Sequence, residues 1–145
     1  MIPQYKPDHF TLKELVPEAT FEFIKTSVLW NVFDHRILIT ADRLRKRYGK
    51  MLANTWPWGG AHQYRGFRPI GAKAPGSIYS QHRFGRALDL VPVNVTAEEI
   101  RQDILGELSE RLFEYITAIE LGTSWLHIDC RSHLKAVHGV LTFQP

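Results

Sequence analysis

Apolar residues recur at helical spacing through the first third of the chain and alternate with polar residues near its end. Ile37, Leu38, Ala41, Leu44 and Tyr48 fall on one face of a helix over about 34–48, and Gly49 supplies its stop. Phe21, Ile24, Val28 and Leu29 share the same spacing and predict another helix packed against it. Thr11-Leu-Lys-Glu14 has the form of a capping box opening a short helix that ends before Pro17. Beyond Gly49 the periodicity disappears. Residues 51–80 are rich in Gly, Pro and Trp, which predicts short strands and ordered loops rather than helix.

Regular patterning then returns. Residues 87–93 read as a strand, and Thr96-Ala-Glu-Glu99 is a second capping box that predicts a helix to about Leu105. A further helix is expected over 107–115. Residues 116–120 and 125–130 alternate as strands do, and a turn at Gly122 should join them into an antiparallel hairpin. Helices first, then a small antiparallel sheet with a helix inserted, give an α+β class with the N-terminal helices packed on the sheet.

Length and composition narrow the reading. The chain has 145 residues, which suits one domain spanning 1–145 and a core that needs no staples. Cys130 is the single cysteine, so neither a disulfide framework nor a structural thiolate zinc site can be built from this chain. Any metal must be held by His and carboxylates. Lys6, Asp8, Lys13 and Glu14 interrupt the first twenty residues, which lack the apolar core of a signal peptide. No apolar run is long enough to span a membrane, so membrane insertion is not expected. The net charge of +3 suits an anionic polymer such as a cell wall or nucleic acid. The basic run Arg43, Arg45, Lys46, Arg47 and Lys50 reads as a solvated helix face, and no nucleic-acid-binding motif accompanies it.

The segment that carries chemistry is Ser80-Gln-His82-Arg-Phe-Gly85-Arg-Ala87-Leu-Asp89. A neutral imidazole and a carboxylate are good ligands for zinc, and Gly85 lets the backbone turn between them. Ala87 shares a strand face with Asp89 and leaves room for an ion there. The segment matches every fixed position of S-x-H-x-x-G-x-A-x-D, a chance event on the order of 10⁻⁶ per start position. Downstream stands Trp125-Leu-His127-Ile-Asp129, and upstream Gly66-Phe67-Arg68-Pro69. Together these segments resemble the zinc peptidases that include D-alanyl-D-alanine carboxypeptidases and phage L-alanyl-D-glutamate endopeptidases, whose fold is shared with the hedgehog signalling domain. The resemblance covers roughly residues 50 to 131.

The resemblance implies one Zn²⁺ per chain, held by His82, Asp89 and His127, the last two 38 positions apart. It implies that Arg68 faces the active site and binds a substrate carboxylate or carbonyl through paired N–H groups; Arg65 is the nearby alternative. Many family members carry the general base three residues before the final His. Here that position is Ser124, which cannot serve. Glu120, on the adjacent strand, and Asp129, on the same strand face as His127, are the two candidates. Asp129 is alternatively the residue that orients a ligand His. His9, His35, His62, His133 and His138 lack ligand spacing and read as surface or packed residues, with His62 the best exception. Trp56, Trp58 and Tyr64 serve either a cleft wall or the core.

The function implied is hydrolysis of peptide bonds in peptidoglycan stem peptides, by a carboxypeptidase or an endopeptidase. The expected protein is a monomer made in the cytoplasm without a signal peptide. It would reach the wall after release, as an endolysin of a bacteriophage or prophage does, or as a phage particle component. The alternative is a zinc-containing, catalytically inactive wall-binding or phage structural module of the same fold.

Overall fold

A computed structural model describes residues 4–106, 110–133 and 139–145. Three short helices, α1 (Leu12–Leu15), α2 (Glu18–Phe23) and α3 (Thr26–Leu29), lead into the long helix α4 (His35–Tyr48). The first capping box forms: the Glu14 carboxylate accepts from the Thr11 N–H at 2.8 Å and from its hydroxyl at 3.1 Å. The helix expected over Phe21 to Leu29 is instead two, because the chain extends at Ile24 and Lys25 and restarts. Asp34 caps α4 by accepting from the Arg36 N–H at 3.0 Å, and Gly49 ends the helix with φ of 85°.

Helix α5 (Ala97–Gly106) opens on the second capping box, with the Glu99 carboxylate accepting from the Thr96 N–H at 2.7 Å. The helix expected over 107–115 lies partly outside the described residues. Its described part holds a single 3-10 turn at Arg111–Phe113.

Five strands form one sheet: β1 (Met51–Leu52), β2 (Ala87–Pro92), β3 (Ala118–Glu120), β4 (Leu126–Asp129) and β5 (Leu141–Phe143), in the order β1-β2-β4-β3-β5. The expected hairpin is present as the antiparallel pair β3–β4. The sheet as a whole is mixed rather than antiparallel, because β5 pairs parallel to β3. β4 ends beside the start of β3, with Asp129 opposite Ala118, and β5 begins at that same end, with Leu141 beside Ala118, so the last strand runs in the same direction as β3. The class is α+β, as expected, with an open five-stranded sheet.

The sheet's two faces differ in kind. Leu88 and Leu90 of β2, Ile119 of β3, and Leu126 and Ile128 of β4 join Ile37, Leu38, Ala41 and Leu44 of α4 and Ile100 and Ile104 of α5 in one buried cluster. Alternation along each strand sends the other set, Ala87, Asp89, Ala118, Glu120, His127 and Asp129, to the opposite face. That face looks toward the irregular segment 53–86. Of the basic run, Lys46, Arg47 and Lys50 are exposed, while Arg43 pairs with Glu114 at 2.7 Å. No helix among the described residues is long and apolar enough to cross a membrane.

Candidate functional site

Strand register builds the site. Asp89 lies directly opposite His127, and Ala87 opposite Asp129. Across the hairpin Ala118 faces Asp129, and one further step of that register puts Glu120 beside His127. Glu120 in turn faces Phe143 of β5. Asp89, His127, Glu120 and Phe143 therefore form a lateral row on one face. In the next row, Asp129 sits between two alanines, whose small side chains leave room for its salt bridge.

His82 reaches this row from a 3-10 turn over Gln81–Phe84. Gly85 ends the turn with φ of 64° and packs so closely that a Cβ would overlap the carbonyl of Val32. Only glycine suits both conditions. Gly66 is constrained similarly, since a Cβ there would overlap the Leu15 carbonyl. Its own carbonyl lies 2.8 Å from His82 Nδ1. A carbonyl can only accept, so Nδ1 carries the proton and Nε2 presents a lone pair.

His82 Nε2 is buried and has no hydrogen-bond partner. It lies 3.3 Å from Asp89 Oδ1, off the line a hydrogen bond needs. His127 Nδ1 lies 2.7 Å from the same Oδ1. One ligand atom from each of His82, Asp89 and His127 falls within 4.8 Å of the other two, and all three residues are buried. Two imidazoles, a carboxylate and an orphaned lone pair converging on one point form a set that can hold a metal ion.

The far atom of each of these three side chains is also held. Asp89 Oδ2 accepts from Arg68 Nη2 at 2.9 Å. His127 Nε2 lies 3.1 Å from Asp129 Oδ2. Arg131 completes this chain, with its Nε 2.8 Å from Asp129 Oδ1 and its Nη2 also on Oδ2.

Electrostatics follow from these contacts. Burial alone would raise the Asp89 pKa, but His127 and the nearby His82 outweigh it and hold the carboxyl well below the usual range. Burial pushes His82 down, favouring the neutral ring a metal needs. Burial also opposes charge on His127, yet Asp129 and Asp89 on its two sides raise it to about 9 in the metal-free protein. Asp129 is lowered against its own burial by His127 and Arg131.

The site opens on a cleft of about 760 Å³ whose walls include Arg68, His82, Asp89, Glu120, Trp125 and His127. Glu120 thus reaches the cleft, and its carboxylate forms no hydrogen bond among the described residues. Asp129 is fully buried, with both oxygens occupied, and does not line the cleft. Ser124 is exposed in the loop before β4.

Arg68 is only 8% exposed and donates to three acceptors at once: the carbonyls of Tyr64 and Pro75, and Asp89. Arg65 also lines the cleft, donating to the Ala53 carbonyl at 3.1 Å. Tyr64 is on the cleft wall, whereas Trp56 donates to the Val16 carbonyl at 2.8 Å and Trp58 is 65% exposed, neither of them lining it. His62 lies at the cleft's edge. His9 is 3.9 Å from Asp42 and His35 is 2.8 Å from Gln4, both far from the site in their contacts. His138 lies outside the described residues.

Sequence reasoning missed Arg131 and Phe143. Arg131 had a signal: it continues the two-residue alternation of His127 and Asp129. Phe143 had none, since nothing local says that β5 docks beside β3. No family model, curated protein or solved structure matches this chain.

Proposed function

We propose that this protein is a zinc metallopeptidase with a hedgehog-like peptidase fold, hydrolysing peptide bonds in the stem peptides of bacterial peptidoglycan. The observation that carries the reading is the convergence of His82 Nε2, Asp89 Oδ1 and His127 Nδ1 at a cleft wall with Glu120 in the same row. The motif resemblance adds the substrate class. His82, Asp89 and His127 would hold the zinc ion. When bound, the ion supplies Lewis-acid activation of water and of the scissile carbonyl.

The chain's own residues do the rest. Glu120 takes a proton from the attacking water and returns it to the leaving amine. Asp129, anchored by Arg131, keeps the proton of His127 on Nε2 so that Nδ1 stays available. The cleft leaves space for an extended peptide beside Glu120. Such an enzyme acts on the wall after release from the cytoplasm, as a phage or prophage endolysin does, or as a phage particle component.

The test is elemental analysis of the purified protein, then incubation with peptidoglycan and mass spectrometry of the released muropeptides. About one zinc per chain and newly cleaved stem peptides are expected; carboxypeptidase and endopeptidase products differ in mass. A protein without zinc that takes none up refutes the reading. Ser124 in place of the usual glutamate favours a second reading, a zinc-containing wall-binding module without hydrolysis. Zinc at one per chain with intact muropeptides would select it.

A further inference from the structure

The strongest unexplained feature of the site is the burial of Arg68. A surface guanidinium waiting for a substrate would stand in water. This one is 8% exposed and is fixed by three protein acceptors, at 2.6 Å to Tyr64 O, 2.9 Å to Pro75 O and 2.9 Å to Asp89 Oδ2. Burial lowers its pKa, and the neighbouring Asp89 charge opposes that. Removing the partner of a buried carboxylate leaves a lone pair with nothing to accept, which is unfavourable enough to make the carboxylate reorient.

Asp89 is the group at stake. Its Oδ1 faces the two imidazoles, 2.7 Å from His127 Nδ1 and 3.3 Å from His82 Nε2. Its Oδ2 is turned away onto Arg68. We propose that Arg68 is a positioning residue for the metal carboxylate: by occupying Oδ2 it makes Asp89 a one-oxygen ligand and keeps one coordination position free. This inference rests on the proposed metal site, and it gives Arg68 a task before any contact with substrate.

Two forces oppose each other at this residue. The guanidinium charge repels a cation, so its removal alone would tighten binding. The same charge and its N–H hold Asp89 in one rotamer, so its removal lets Oδ2 swing toward the ion or toward water. In a buried site the hydrogen bond that orients a ligand is worth about 10- to 100-fold in metal affinity, and the orienting effect dominates.

Arg68 also holds the Pro75 carbonyl, so a loosened loop must be separated from a loosened carboxylate. Arg83 provides the control. Its Nε donates to Ser77 O at 3.2 Å and its Nη1 to Pro69 O at 3.0 Å, so it ties down the same loop without touching Asp89.

The experiment uses the full chain loaded with Co²⁺ as a spectroscopic probe, and with Zn²⁺ in competition with a chelator. Arg68→Met keeps the apolar stem volume, Arg68→Lys keeps the charge and one donor nitrogen, and Arg83→Ala loosens the loop without removing any contact to Asp89. Circular dichroism checks the fold of each. Arg68→Met is expected to weaken zinc binding at least ~10-fold and to change the visible cobalt spectrum toward the weaker absorption of a higher-coordinate ion. Arg68→Lys should lie between Met and the parent, and Arg83→Ala should match the parent. An unchanged cobalt spectrum in Arg68→Met overturns the inference, as does an equal change in Arg83→Ala. If Arg68→Met does not fold, Arg68→Lys decides on the same two readouts. A parent that binds neither ion removes the metal site itself, a failure distinct from the first two.

Discussion

Glu120→Gln isolates the proposed proton carrier. The substitution keeps the side chain's length and shape and removes its basic oxygen. Little else depends on that carboxylate. Its strand is held through the backbone, by Arg101 Nε donating to the Glu120 carbonyl at 2.9 Å and by the pairing of β3 with β4 and β5. The carboxylate itself has no hydrogen bond to lose among the described residues, so the change in stability should stay within ~0.5 kcal/mol. The metal ligands are untouched, so zinc content should equal the parent's.

The rate is another matter. Facing residues on paired strands stand about 5 Å apart at Cβ, so from its place beside His127 a Glu side chain spans the distance to a water at the metal position. Its charge also acts on Arg68, which contacts Asp89. Losing a positioned general base removes about 100-fold or more in rate, or about 2.7 kcal/mol of transition-state stabilisation. The assay is loss of turbidity of permeabilised Gram-negative cells, with muropeptide release as the quantitative readout. A folded, zinc-loaded Glu120→Gln protein that works at the parent's rate refutes the assignment.

Asp129→Asn should behave differently: the buried acceptor of both Arg131 and His127 Nε2 is weakened, and zinc affinity should fall about 10- to 100-fold. A chelator competition that finds parental affinity, with activity lost, would make Asp129 the base instead. Gly85→Ala forces a Cβ against the Val32 carbonyl at φ of 64°, so the variant should lose more than ~3 kcal/mol or fail to fold; parental urea denaturation would contradict that packing. In the metal-free protein His127 is raised to about 9, so its contribution to stability is complete below about pH 6.5, its ordinary value, and is lost as pH rises through about 9. The urea midpoint of chelator-treated protein should therefore be lower at pH 9.5 than at pH 6.5, and an equal or higher midpoint refutes the raised value.

The elements were legible where local chemistry decides them. Two capping boxes, the apolar stripe of α4, the strand run of β2 and the alternation of β3 and β4 follow from residues a few positions apart, and each appears in the structure close to its expected bounds. The break between α2 and α3 was not legible, because the same apolar spacing suits one helix or two. The parallel docking of β5 was not legible either, since strand direction depends on the path of the connecting chain.

The site divides in the same way. Sequence by itself determined the residue types that can hold a metal, the glycine that lets His82 turn back toward Asp89, and the two carboxylates eligible as base. Tertiary structure decided their geometry. Strand register set Asp89, His127 and Glu120 in one row and dropped Asp129 behind His127, between Ala87 and Ala118, where only its hydrogen bonds act. It also buried Arg68 against Asp89 rather than leaving it in the open cleft. These outcomes depend on which strands pair and how deeply each side chain is covered. No local pattern encodes them, because they arise only when segments distant in the chain pack together and exclude water.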